Sequence, residues 1–127
     1  MKLNRIRVSV ETDKRLRHLK ARTGLTPNLL CRLGICLSLA ERTPPDPIGH
    51  LDTDGREFNR YTLTGPWDSL FLALIRQDCY ERDLPLPESL EEQFLAHLYR
   101  GVLLLSMRVK GLEDIEHLIF EAVDARR

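Results

Sequence analysis

No stretch of this 127-residue chain reaches the roughly 18 consecutive apolar residues of a membrane-spanning helix. Met1 to Val10 contains no apolar block of the signal-peptide type either. Both absences argue against a membrane and for a cytoplasmic protein. Cysteine is scarce as well. Cys31, Cys36 and Cys79 are an odd number set inside apolar helical patterns, which fits a reducing compartment and a core role better than a disulfide framework. Cys31 and Cys36 stand about 140° apart on a helix and share no face. His18, His50, His97 and His117 are scattered, and none belongs to a Cys/His zinc spacing. There is no glycine-rich phosphate loop, no serine elbow and no His-x-x-x-His pair. Asp52 and Asp54 are spaced like the first ligands of a calcium loop, but the next ligand and the glycine are missing from their required positions. No catalytic residue, metal or cofactor is expected, and an enzyme is disfavoured.

Net charge is also lacking, since the formal sum is zero. Its distribution is uneven. Met1 to Arg42 holds ten basic residues (Lys2, Arg5, Arg7, Lys14, Arg15, Arg17, Lys20, Arg22, Arg32 and Arg42) against Glu11, Asp13 and Glu41, a net of +7 that leaves −7 for the remainder. Such asymmetry points to a basic face for nucleic acid and an acidic body facing water or a basic partner.

What is present begins with alternation. Ile6, Val8 and Val10 point to one side of an extended chain and Arg7 and Ser9 to the other. A lone strand needs a partner: the same strand of a second subunit is one reading, an ordinary N-terminal edge strand the other. Thr12 is expected to cap a helix running to about Arg22, with Leu16 and Leu19 inward and Lys14, Arg17 and His18 opposite, Arg22 close by. Gly24 suits the left-handed position that ends such a helix, with Leu25 packing back on it. Thr26 and Pro27 then cap a second helix whose free N–H groups, beside Asn28, could hold a phosphate. Leu29 to Ala40 is apolar nearly all round, with Arg32 the only charge, so burial on every side is expected. Gly34 within it suits a second backbone passing closely.

Pro44, Pro45 and Pro47 exclude helix from the next stretch. There Asp54-Gly55 could join short strands around His50 to Leu51 and Phe58 to Leu63. Three further helices follow at helical spacing: one from Pro66, one from about Glu88 to Lys110, and one from Leu112 to Asp124. The fold class read from this is mainly α in a single domain, 1–127. Residues 1–42 form a basic ribbon-helix-helix-like segment (short strand plus two helices), 43–66 a proline-containing loop with room for a small hairpin, and 67–127 a three-helix body. The wide apolar stripes of that body suggest packing between subunits.

Strand, basic helix, glycine turn and apolar helix is the pattern of ribbon-helix-helix DNA binders. The run RVSVETDKRLRHLKARTGLTPNLLCRLGICLSL, then a proline-containing loop and helices ending in GLEDIEHLI, resembles the DndE family of DNA sulfur modification proteins over essentially the whole chain. LKARTGLTPNLLCRLG is its most specific part. The resemblance implies a small, mainly helical, oligomeric protein. It implies work beside a cysteine desulfurase, an iron-sulfur sulfurtransferase-like protein and an ATPase that put sulfur in place of a non-bridging phosphate oxygen of DNA. It further implies a non-catalytic DNA-binding subunit that prefers nicked duplex and assembles as a homotetramer.

The expected DNA contacts are Lys2, Arg5, Arg7, Ser9, Lys14, Arg17, His18, Lys20, Arg22 and Asn28. Two other functions fit the same residues. One is a sequence-specific ribbon-helix-helix regulator or antitoxin, for which the long helical body is excessive. The other is an oligomeric scaffold whose acidic helices dock a basic partner.

Overall fold

The computed structural model describes residues 3–124, with side chains through Glu121. The elements in order are β1 (Arg5–Arg7), α1 (Val10–Thr23), α2 (Pro27–Ala40), β2 (Glu57–Asn59), the short α3 (Arg60–Thr64), a single 3-10 turn (Gly65–Trp67), α4 (Asp68–Glu81), α5 (Leu90–Arg108) and α6 (Leu112–Asp124). The molecule is mainly helical, as the periodicity predicts, with one two-stranded sheet.

That sheet agrees with the edge-strand reading of the N-terminal strand and not with pairing between subunits. β1 runs antiparallel to β2 of the same chain, with Arg5 opposite Asn59, Ile6 opposite Phe58 and Arg7 opposite Glu57. Backbone bonds extend the ladder from Arg60 N to the Asn4 carbonyl (2.9 Å), from Val8 N to the Arg56 carbonyl (3.0 Å) and from Gly55 N to the Val8 carbonyl (2.9 Å). The hairpin expected around Asp54-Gly55 does not form, because this segment lies along β1 instead of turning back on His50 and Leu51. A Cβ on Gly55 would stand 2.7 Å from the Val8 carbonyl oxygen, so glycine is needed for the close approach. Ile6, Val8 and Phe58 all point into the core.

The strand is shorter than its alternation suggests, because α1 starts earlier than expected. Ser9, not Thr12, is the N-cap: its backbone is extended and its hydroxyl oxygen accepts from Thr12 N at 3.2 Å. The Asp52 carboxylate accepts from Val10 N at 2.9 Å and adds support from the loop. Val10 therefore turns outward instead of following Ile6 and Val8. At the far end Gly24 has φ +76° and its N–H reaches the Lys20 carbonyl at 2.8 Å, as the glycine predicts. Thr26 caps α2, with Pro27 in the first turn.

α2 and α5 form the centre. Leu30, Cys31 and Ile35 join Phe94, Leu98, Val102 and Leu105 in one buried cluster, and the two helices cross at a glycine pair. A Cβ on Gly34 would lie 2.8 Å from the Gly101 carbonyl carbon, and one on Gly101 would overlap the Gly34 carbonyl. The close backbone approach predicted at Gly34 is there. Burial of α2 on every side is not: Leu29 and Cys36 are exposed and Leu33, Leu37 and Leu39 half-buried. Cys31 and Cys79 are core residues, whereas Cys36 departs from that expectation.

Of the strand expected over Phe58 to Leu63, residues 60–63 instead belong to α3, because Asn59 accepts from Thr62 N (3.2 Å) and caps a helix there. Pro66 falls in the 3-10 turn and α4 begins at Asp68. α6 spans the residues its stripe predicts. Among the described residues no helix is long and apolar enough to cross a membrane.

Candidate nucleic-acid interface

β1 presents Arg5 and Arg7 to solvent because Ile6 between them is held inward against Phe58. Glu57 on β2 faces both guanidinium groups at 3.9 Å, an exposed and weak pairing that leaves them open to another anion. Arg56, beside the ladder, lies over the Phe58 ring at 5.0 Å to the centroid. It is exposed and belongs with this basic edge. It escapes a reading by sequence because nothing local shows that the residues before Phe58 run beside β1.

α1 carries the longer basic surface. Burial of Leu16 and Leu19 fixes its orientation, so that Lys14, Arg17, His18, Lys20 and Arg22 are exposed. Arg17 is engaged by the buried Asp13 carboxylate, with Nη2 at 2.8 Å, and Arg15 by Glu11 at 3.4 Å. Lys14, Lys20 and Arg22 make no ion pair among the described residues. Asn28 is half-buried at the start of α2, next to the cap where Thr26 Oγ1 accepts from Leu29 N at 3.4 Å. Ser9 is not an outward ribbon residue. It is buried, its oxygen bound to Thr12 N and its hydroxyl donating to Thr12 Oγ1 at 2.9 Å. Lys2 lies outside the described residues.

A second concentration of polar groups is internal. Arg100 Nε donates to Ser38 Oγ at 2.7 Å, Ser38 Oγ lies 2.8 Å from His97 Nδ1, and His97 Nε2 lies 2.7 Å from Asp78 Oδ2. The serine hydroxyl hydrogen is free for Nδ1, so a neutral imidazole protonated at Nε2 satisfies both ring nitrogens. The order hydroxyl, imidazole, carboxylate is that of a hydrolase triad. Here Ser38 is 0% exposed, leaving no path for a substrate carbonyl to its oxygen. The chain of bonds fastens α2, α4 and α5 together. Burial lowers the His97 pKa, although Asp78 beside it works the other way. Burial also pushes the Cys31 thiol up to about 12. Among the described residues no group of three His, Cys, Asp or Glu side chains could hold a metal.

A family model for the DNA sulphur modification protein DndE matches residues 5–111, from the first residue of β1 to the one before α6. The chain belongs to the DndE family. The crystal structure of DndE from Escherichia coli B7A, involved in DNA phosphorothioation modification, has a TM-score of 0.69 and 24% sequence identity, covering 83% of this chain and 98% of that one. A glycine-to-lysine double mutant of DndE, likewise involved in DNA phosphorothioation, gives a TM-score of 0.66 at 22% identity, covering 83% and 99%. At such identities the likeness speaks for a shared DndE fold. No curated protein sequence matches the chain.

Proposed function

We propose that this DndE-family chain is a non-catalytic DNA-binding subunit of the phosphorothioation machinery. In this reading it holds duplex DNA by the backbone, with a preference for nicked duplex, and works beside the cysteine desulfurase, sulfurtransferase and ATPase components. The observation that carries the reading is the outward basic surface of β1 and α1, where Lys14, Lys20 and Arg22 have no carboxylate partner among the described residues. Sulfur enters the phosphate backbone, so recognition by phosphate contacts suits the chemistry better than base reading. The flexible Lys and Arg side chains, with the α2 N-terminus beside Asn28, supply such contacts. A sequence-reading ribbon loses its support, because β1 is already paired within its own chain.

Fluorescence anisotropy with labelled intact and nicked duplexes tests this across a salt series. Tight binding is expected at ~50 mM salt, with log affinity falling linearly against log salt. Lys14→Gln, Lys20→Gln and Arg22→Gln should each reduce the slope by about 0.9, the share of one neutralised phosphate. Absence of salt-dependent binding to either duplex would rule the reading out.

A further inference from the structure

α6 follows the last residue matched by the DndE family model, and the solved DndE chains are covered almost end to end by 83% of this chain. It lies beyond the part of the chain that the family model matches. Its attachment is narrow. Ile115 is buried and Leu118 packs against the core, Arg108 Nη2 meets the Glu121 carboxylate at 2.7 Å, and the Asp114 carboxylate accepts from Lys110 N and Gly111 N at 2.7 and 3.2 Å. Its other large apolar side chains among the described residues are only about half covered: Leu112 is 53% exposed, Ile119, which also borders Leu33 and Leu37 of α2, 54%, and Phe120 57%. A surface helix ordinarily keeps such a stripe against its own core, and a cluster of this kind marks a contact site. The same face carries Glu113 and Glu116, which line a shallow depression with Leu112, Ile115, Ile119 and Phe120.

Charge decides what can cover this face. From Leu112 to Glu121 there is no Lys or Arg. A second α6 would set carboxylates against carboxylates, and DNA or an anionic membrane is disfavoured for the same reason. The chain's own basic helix does not fit either, since the exposed side chains of α1 between Lys14 and Arg22 include no large apolar group. The matching surface needs an apolar cleft for Ile119 and Phe120 and cations beside it for Glu113 and Glu116. We infer that α6 is the docking helix for another protein, one whose apolar cleft is rimmed by Lys or Arg, in the helix-in-groove mode.

The probes are the other proteins of the sulfur modification system, purified singly and titrated against the full chain; only this choice rests on the proposed function. One of them is expected to bind, with affinity that falls as salt rises. Phe120→Asp, and separately Glu113→Lys with Glu116→Lys, should weaken that binding at least about tenfold. Thermal midpoint and nicked-duplex affinity should stay as they are. Failure of every probe to bind, or equal binding by both variants and the unaltered chain, would sink the inference. So would a fall in solution mass of the α6 variants, because a second copy would then be the cover. Loss of duplex binding by the unaltered chain strikes at the proposed function alone, which keeps the two failures apart.

Discussion

His97 joins three helices through one imidazole, and its burial couples folding to pH. Asp78 faces it from α4 and Arg82 from the cap just after it, Ser38 from α2 and Arg100 from α5. Its pKa in the folded protein is below the ordinary 6.5, chiefly through burial. The unfolded chain therefore takes up the proton first. This contribution to stability is full above pH 6.5 and declines as pH falls from there toward the folded value, by up to about 1.4 kcal/mol per pH unit. Burial works against ionisation of Asp78 as well, but the Arg82 and His97 contacts outweigh it and hold the carboxyl below its usual 3.8. Its own loss thus begins at more acid pH. Urea midpoints measured between pH 7 and 5 should fall for the unaltered protein and stay flatter for His97→Gln; parallel slopes would show that another group titrates. None of this is legible from sequence, where His97 is one histidine among four. Gly34 is the opposite case, because a glycine inside an apolar helix has few explanations other than close packing.

Among the elements, α1 shows how two local rules compete for one residue. Ser9 fits both an alternating strand and a helix cap. The cap prevails because Asp52 reaches across from the loop to Val10 N. Ser9→Ala should cost about 1 kcal/mol, as the loss of an N-cap does, read as a lower urea midpoint with an unchanged m-value; no shift would place the helix start elsewhere. α6 is legible to the residue, since Gly111 and a clean apolar period bound it. α3 is not. RYTLT has the β-branched and aromatic content of a strand, and its helical form depends on distant groups. Arg32 Nε and Nη2 donate to the carbonyls of Leu63 (2.6 Å) and Thr62 (3.2 Å) at its C-terminal end. Arg60 reaches the Leu3 carbonyl and the Asp68 carboxylate. The partner of β1 is hidden for a related reason, as three residues of β2 carry too little pattern to announce themselves.

In the molecule as a whole, exposed basic side chains cluster at β1 and α1, while Trp67, just before α4, and Leu70 and Leu74 on it form an exposed apolar stripe. That stripe is distinct from the face of α6, and we propose it as the surface through which copies of the chain assemble. Light scattering should return a multiple of the 14.7 kDa chain, four copies by the family resemblance. Leu70→Glu with Leu74→Glu should lower that mass without unfolding the protein. A single-chain mass for the unaltered protein would refute the assembly. The charge asymmetry was visible in the sequence, but which apolar stripe turns inward was not, because α2, α4 and α6 all carry more apolar surface than one chain can cover.

The β1–β2 ladder joins Arg5 to a residue some fifty positions later. During synthesis, α1 and α2 leave the ribosome while Ile6 and Val8 still lack the side chains that bury them. The arginines of β1 take their final direction only once Asn59 has emerged and the intervening loop has closed, a step whose entropic cost grows slowly with loop length. The β1 share of the basic surface thus depends on a segment made later, and a translation product ending before Phe58 would carry Arg5 and Arg7 without the strand that aligns them.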